Sequence, residues 1–540
     1  MTIMDKKCRF TACVVGAFLG LSAPLHAETL TIALAAANSS LDPHFHNIGT
    51  NNATMRNIYD RLIHMDADMR LQPALAVSWT PVDDLTWDIV LRDGVMFHDG
   101  TSFGPEDVVF TVGRIPQVPN SPSAFTKFVG PIAGIEVIGA NTLRITTNAP
   151  TPLLPNDLAQ VSILSKETTE AYFAANPDIA ETAELVDSSH YNSGGLAIGT
   201  GPYKLVEWAP DSPLVLTVNA DYWGAAPAFS DVVFRPIQND AARLAALQSG
   251  DVDLIDGLPT GDIARIQADS NFTVFEAASN LAVYLHLDSD RETSPFVTAK
   301  DGSAIANPLR DVNVRKAISM AINRAGIASA IMDGAAKPAG QMLDQGFAGA
   351  SDNMPPMVYD AAGAKALLAE AGYPDGFALT LQTPNDRYVN DEKVALAIAQ
   401  NLTQMGIATQ VTAEPRATYF GNASKLEYSF MLLGWGSSTG EQGSSLESLM
   451  HTYNKDAGQG GSNRGRFSDP KFDEIIDTAM STLDETERNG LVAAAAEYGI
   501  GEQFGIIPVH FQSNFWASRA GIELAPRADN YTIASEVSGE

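Results

Sequence analysis

Cysteine is almost missing from this chain of 540 residues: Cys8 and Cys13 are its two thiols. Both lie in a stretch that reads as a secretory leader, with Lys6, Lys7 and Arg9 before an apolar run from Phe10 to Leu21 and Leu25-His26-Ala27 as a cleavage site before Glu28. A chain cut there has no thiol, which excludes disulfides, thiol nucleophiles and cysteine metal sites. Positive charge is scarce as well. Against 64 Asp and Glu stand 34 Lys and Arg, a formal net charge of −30, and the leader would take three cations and one anion with it. Nucleic acid and anionic membrane surfaces are bound through clustered Lys and Arg, so neither is expected as a partner. Long apolar runs are absent too: the leader's run is too short for a bilayer, and nothing else approaches the roughly 18 to 20 residues of a membrane helix. An exported, soluble protein is the expectation. Finally, His-Glu-x-x-His is missing, as is a phosphate loop with its lysine, and no catalytic residue, metal or cofactor is assigned.

Short strand-like runs, Leu30 to Leu34, Leu143 to Thr146 and Val232 to Phe234, alternate with helical patterns. Over 311–328, Val314, Ala317, Ile318, Ala321, Ile322 and Ala325 recur at steps of three and four, which predicts one helix capped by Asp311. A second helix is expected from Asp391 to Met405, stopped by Gly406 and followed at once by a strand over 407–411. Such succession predicts sheets flanked by helices, a mixed α/β protein of more than one domain. A strand over 428–433 then delivers Trp435 into a loop of small residues, GWGSSTGE at 434–441, that looks like the wall of a binding site.

Seven motifs stand in a recognisable order: SLDPH (40–44), LAVSW (75–79), LRDGVMFHDGTSFGPEDVVFTVGRI (91–115), GTGPYKLVEW (199–208), DYWG (221–224), VVFRPIQNDAARLAALQSGDVDLI (232–255) and VRKAISMAINR (314–324). With them the chain resembles the family 5 extracellular solute-binding proteins of ABC importers, the group of dipeptide, oligopeptide and nickel binders. The resemblance implies a type II periplasmic binding fold, two lobes on a hinge with an extra domain inserted in the first lobe. Its parts would be a signal peptide at 1–27, the first lobe at 28–58, 196–275 and 510–540, the inserted domain at 59–195 and the second lobe at 276–509. It implies a monomer in the periplasm that captures a short peptide or peptide-like solute and serves a membrane permease with its ATPase. An opine, an oligosaccharide or another polar metabolite is the alternative cargo, and a secreted hydrolase the alternative class.

Peptide binders of the family share the Gly-Trp that opens the loop, and an aspartate three residues after the tryptophan pairs with the peptide amine. Here that position is Ser438. A buried ammonium without a carboxylate costs several kcal/mol, so either Glu441 takes over or the ligand lacks a free amine. Trp435 is expected to stack on the ligand, with Gly436, Ser437, Ser438 and Thr439 beside it. Asn38 and Ser39 match the region where the first lobe hydrogen-bonds the ligand, and Arg464, or more weakly Arg416, is the candidate clamp for a carboxylate.

Overall fold

A computed structural model of the protein describes residues 26–180 and 187–539. The expected leader lies outside these residues as far as position 25, and the first strand, His26–Leu34, begins across its expected end. The architecture rests on two long strands, Phe272–Leu287 and Ile506–Arg519, paired antiparallel in the middle of a 12-stranded sheet. From Ala282 to Leu287 the first of them is buried at every residue, the signature of a strand covered on both faces. On one side the sheet continues through Phe430–Gly436, Ala378–Pro384 and Val297–Thr298; on the other it runs through Leu254–Asp256, His26–Leu34, Phe229–Pro236, Leu214–Val218 and Tyr203–Glu207.

Each side has its own apolar cores. Helices Val312–Ala321, Ala361–Glu370 and Asp391–Met405 cover one face of the first side, burying Val314, Ile318, Leu368, Val394 and Ile398. Gln442–Met450, Pro470–Ser481 and Glu485–Ala496 cover its other face through Leu446, Phe472 and Val492. The second side packs Leu30, Ile32, Val232 and Phe234 against Phe173, Tyr191 and, from the end of the chain, Ile522 and Val537. A separate four-stranded antiparallel sheet, in the order Ala76–Asp83, Thr86–Leu91, Thr142–Thr147, Ile132–Gly139, buries alternate residues such as Trp87, Ile89, Leu143 and Ile145.

The crossing strands do not pair evenly. Ala278 faces Ser513 and Ala282 faces Phe511, so Ser279, Asn280 and Leu281 stand opposite Gln512 alone, a bulge that re-aims their side chains. Gln512 and Ser513 are the half-buried step in a strand otherwise buried from Ile506 to Ser518.

Asp391–Met405 forms as expected and ends on Gly406 at φ 118°, and Asp311 caps its helix through Asn313 N–H at 2.8 Å. The helix expected over 311–328 is shorter: it stops at Ala321, and Ile322 is extended. Asn323 explains the break, because its Oδ1 accepts from Gly326 N–H at 2.9 Å and starts a new turn. Arg324 then turns inward to the Ser319 and Pro508 carbonyls. His98 is structural, its Nε2 at 3.0 Å from the Gly201 carbonyl.

Two of the sequence motifs meet in one buried ion pair. Arg114, at the end of helix Pro105–Arg114, donates to both carboxylate oxygens of Asp42 at 3.1 and 2.6 Å, with Ser188 Oγ adding a third bond to that carboxylate. Burial works against the charge, yet Arg114 holds Asp42 below the usual carboxylate range. Arg114→Met leaves this carboxylate buried without its cation and is expected to cost about 3–5 kcal/mol. Thermal unfolding should show a lower melting temperature than for a substitution at exposed Arg70, which sits 3.4 Å from Asp68.

Candidate functional site

The strands Ala378–Pro384 and Phe430–Gly436 run parallel, with Gln382 beside Met431, so the loops after them emerge side by side. His26–Leu34 runs parallel to Phe229–Pro236 and to Leu254–Asp256. Ligands of α/β sheets collect at such carboxyl ends. Here they border a cleft of two chambers. One, of about 750 Å³, is walled by the bulge residues Ser279 and Asn280, by Gln512 and Asn514, and by Arg56 and Tyr531. The other, of about 830 Å³, holds Trp435, Phe420, Arg464 and Glu447, with Lys127 and Asp157 from the side of the four-stranded sheet. Leu281, Arg387, Tyr388, Gly436, Ser437 and Ser438 line both chambers.

The stretch GWGSSTGE is therefore the partition between the chambers. The strand expected to end at 433 runs on to Gly436 against Leu281–Val283, so Trp435 stands in the strand and the loop begins at Ser437, where local bonds explain its composition. Asn280 Nδ2 donates to the Ser437 carbonyl at 2.7 Å and fixes the loop's exit from the strand. Ser437 and Thr439 turn inward: Ser437 Oγ donates to the Glu441 carbonyl at 2.9 Å and shares a hydrogen bond with the Thr439 hydroxyl. Ser438 is exposed, and its carbonyl accepts from Gln160 Nε2 at 3.0 Å, while the Thr439 carbonyl accepts from Asn156 Nδ2 at 2.7 Å. Two carboxamides from beyond the cleft thus hold the loop by its backbone. Gly434 is required by a neighbour, since a Cβ there would stand 2.5 Å from the Tyr388 ring.

Trp435 is half-buried, donates its indole N–H to Ser445 Oγ at 3.1 Å and walls the second chamber. Arg464 lines the same chamber near the Phe420 ring, and its buried Nε has no partner. Other expected ligand contacts lie elsewhere. Asn38 is buried on Thr54, Ser39 bonds His46 and Asn51, and exposed Arg416 sits at a helix start with its amide on Asp386. Glu441 lies outside both chambers, 2 % exposed, because helix Gln442–Met450 starts there and turns the side chain toward Gly349 and Val492. No side chain donates to its carboxylate, and burial pushes its pKa up to about 7 against the pull of Arg488 and of the Gly443 and Ser444 amides. An acid in that state is no replacement for a ligand-facing aspartate.

Two stretches fit the spacing Gly-x-Ser-x-Gly, 100–104 and 436–440, and the second lies between a strand and a helix as a nucleophile elbow does. Among the described residues no histidine lines either chamber, so none of them stands at Ser438 as a base of the usual kind. What the cleft offers is carboxamides, hydroxyls, several aromatic faces and side chains of both charges, a set that orients a polar solute.

Residues 70–457 match the model of the bacterial extracellular solute-binding proteins, family 5, middle region. The chain belongs to this family. The glutathione-binding protein GsiB of Salmonella typhi is 29% identical over 482 residues, 88% of this chain and 87% of that protein. Among solved structures, the periplasmic binding protein DppA of Helicobacter pylori in complex with the peptide STSA shares 25% identity at a TM-score of 0.73, covering 95% of this chain and 98% of that one. HbpA2 of Haemophilus parasuis has 24% identity and a TM-score of 0.79, covering 95% and 100%. The fold is the type II periplasmic binding fold, and the family is one of solute receptors.

The state of Glu441 gives a prediction with a definite sign. Its folded pKa stands above the value of 4.5 for a free glutamate, so between those two pH values the unfolded chain ionises while the folded one keeps its proton. The native protein therefore loses stability as pH rises through that window, by about 1.4 kcal/mol per pH unit at most. Glu441→Gln should melt together with the wild type near pH 4 and progressively above it up to pH 7. Superimposable curves at pH 7 would mean that the folded carboxyl ionises normally.

Proposed function

We propose that this protein is the periplasmic receptor of an ABC importer, capturing a short peptide or peptide-like solute between two lobes and presenting it to a membrane permease with its ATPase. The observation that carries this reading is the two-chambered cleft, walled jointly by the two sides of the large sheet and bridged at Ser438 and Thr439 by Gln160 and Asn156, from helix Leu154–Leu158 and the turn after it. The glutathione named for the Salmonella relatives and the peptide in the Helicobacter neighbour support a cargo with amide and carboxylate groups. We divide the chain accordingly into a first lobe of 28–58, 196–275 and 510–540, an inserted domain of 59–195 and a second lobe of 276–509. A leader removed before Glu28 delivers the protein to the periplasm, where it acts as a monomer without a nucleic-acid partner.

Capture needs no covalent step. A solute that touches both lobes favours the closed arrangement by its differential affinity for it. The bulge at 279–281 and the facing Gln512 sit where the two strands cross between lobes, and they are the point at which the sheet can bend.

A thermal-shift screen against free dipeptides and tripeptides, glutathione, amine-blocked peptides, opines and oligosaccharides tests the cargo. A solute at one hundred times its dissociation constant adds about 2.7 kcal/mol. Peptides or glutathione are expected to raise the melting temperature; a shift with oligosaccharides alone would displace the peptide reading. Trp435→Ala should weaken the bound compound by about 1 kcal/mol or more in calorimetry, through the lost ring face. Ser438→Asp puts a carboxylate on the partition and should strengthen binding of free-amine dipeptides.

A further inference from the structure

Arg56 is 7 % exposed, forms part of the wall of the first chamber, and has no carboxylate within ion-pair distance among the described residues. Its one side-chain hydrogen bond is a long one, 3.5 Å from Nη1 to the Met65 carbonyl, its Nε has no partner, and its guanidinium lies 5.1 Å from the centre of the Tyr531 ring. The acids near it are engaged elsewhere. Arg527 donates to Asp529 at 2.9 and 2.7 Å and to both oxygens of Glu536 at 3.0 Å. Behind Arg56, in a small cavity of about 80 Å³, Arg61 is equally buried, with Nε unpartnered and Nη2 3.5 Å from the Asn52 carbonyl. Three guanidinium groups thus share two carboxylates, and Asp60 beside them is occupied by Trp223, Thr200 and Tyr222.

A buried cation without a counter-charge is a cost that a fold sheds unless something else supplies the anion. We infer that Arg56 is the first-lobe anchor for a carboxylate of the solute, so that the cargo is an acid whose charged end enters the chamber beside Tyr531. This deepens the receptor reading and rests on it. Besides the cation the chamber supplies the Ser279 hydroxyl and the Gln512 amide as donors. Asn280 and Asn514 spend their amide hydrogens on the Ser437, Arg527 and Ala528 carbonyls, and of the acids on the wall Asp529 is held by Arg527. The planar fork of arginine, already stacked near a ring, suits a carboxylate better than a lysine ammonium would.

The test compares matched acids and neutral forms on the full secreted chain by calorimetry and thermal shift: glutathione with its diethyl ester, and N-acetyl-Ala-Ala with its amide. The wild type is expected to bind the acid at least tenfold more tightly than its neutral form. Arg56→Gln should remove that preference and leave the neutral form unchanged, Arg56→Lys should keep part of it, and Arg70→Gln, which alters net charge equally at an exposed site, should keep all of it. An acid preference that survives Arg56→Gln, or a loss shared equally by acid and neutral form, overturns the assignment while leaving the receptor reading intact. If no compound of the panel binds the wild type, the peptide reading fails on its own, and the unliganded proteins decide. Arg56→Gln melting above the wild type supports an uncompensated functional cation; melting below it marks Arg56 as a structural residue and overturns the proposal.

Discussion

The antiparallel pairing of Phe272–Leu287 with Ile506–Arg519 is the constraint on which the rest of the structure depends. These two strands carry the large sheet from one side to the other, and their bulge is the floor of the cleft. Because side chains alternate along a strand, a one-residue slip would turn the side chains of either strand to the opposite face of the sheet. The buried stretch Ala282–Leu287 fixes the register against that slip, even at the cost of burying His286, whose pKa burial lowers to about 3. Packing on one side of the sheet thereby determines which polar groups face the cleft.

Electrostatics divides the cleft further. The chain as a whole is strongly acidic, so its long-range field repels an acidic solute, though salt screens that repulsion beyond roughly 10 Å. Attraction has to be local: the first chamber holds Arg56 and Arg387 but is lined as well by Asp240, Asp386 and Asp529, the last of them bound by Arg527. The second chamber has cations in Lys127, Arg464 and the shared Arg387, and two acids, Asp157 and Glu447, both raised by burial, Asp157 to about 7. Both chambers therefore mix charges, and an acidic group of the solute is held by the particular guanidinium it reaches, not by the net charge of a chamber.

Much of this was readable from local pattern. The strand runs at 30–34, 143–146 and 232–234, the Asp311 cap and the Gly406 stop depend on neighbours a few residues away, and each forms as its residues indicate. The break at Ile322 was not legible, because apolar spacing continues through Ala325 while the deciding bond belongs to the Asn323 side chain. The loop at 434–441 was legible as a wall, yet which of its side chains face the cavity was not: Glu441 looks like a ligand acid until the helix after it turns it away. Tyr388 and Arg56 carry no local mark at all. Arg56 stands out only when Arg527, more than four hundred positions later, is seen to hold the neighbouring acids.

The bonds that cross to the partition suggest how such a loop can change cargo without losing its place. Gln160 and Asn156 bind the carbonyls of Ser438 and Thr439, groups that every residue possesses. Ser437 and Thr439, whose hydroxyls build the turn, are buried and constrained, whereas Ser438 is exposed between the chambers. Selection can therefore exchange the side chain at 438 with little effect on the contact across the cleft. An aspartate at that position adds a charge for an amine, a serine leaves the charge to the cations alone, and the backbone path is the same for both.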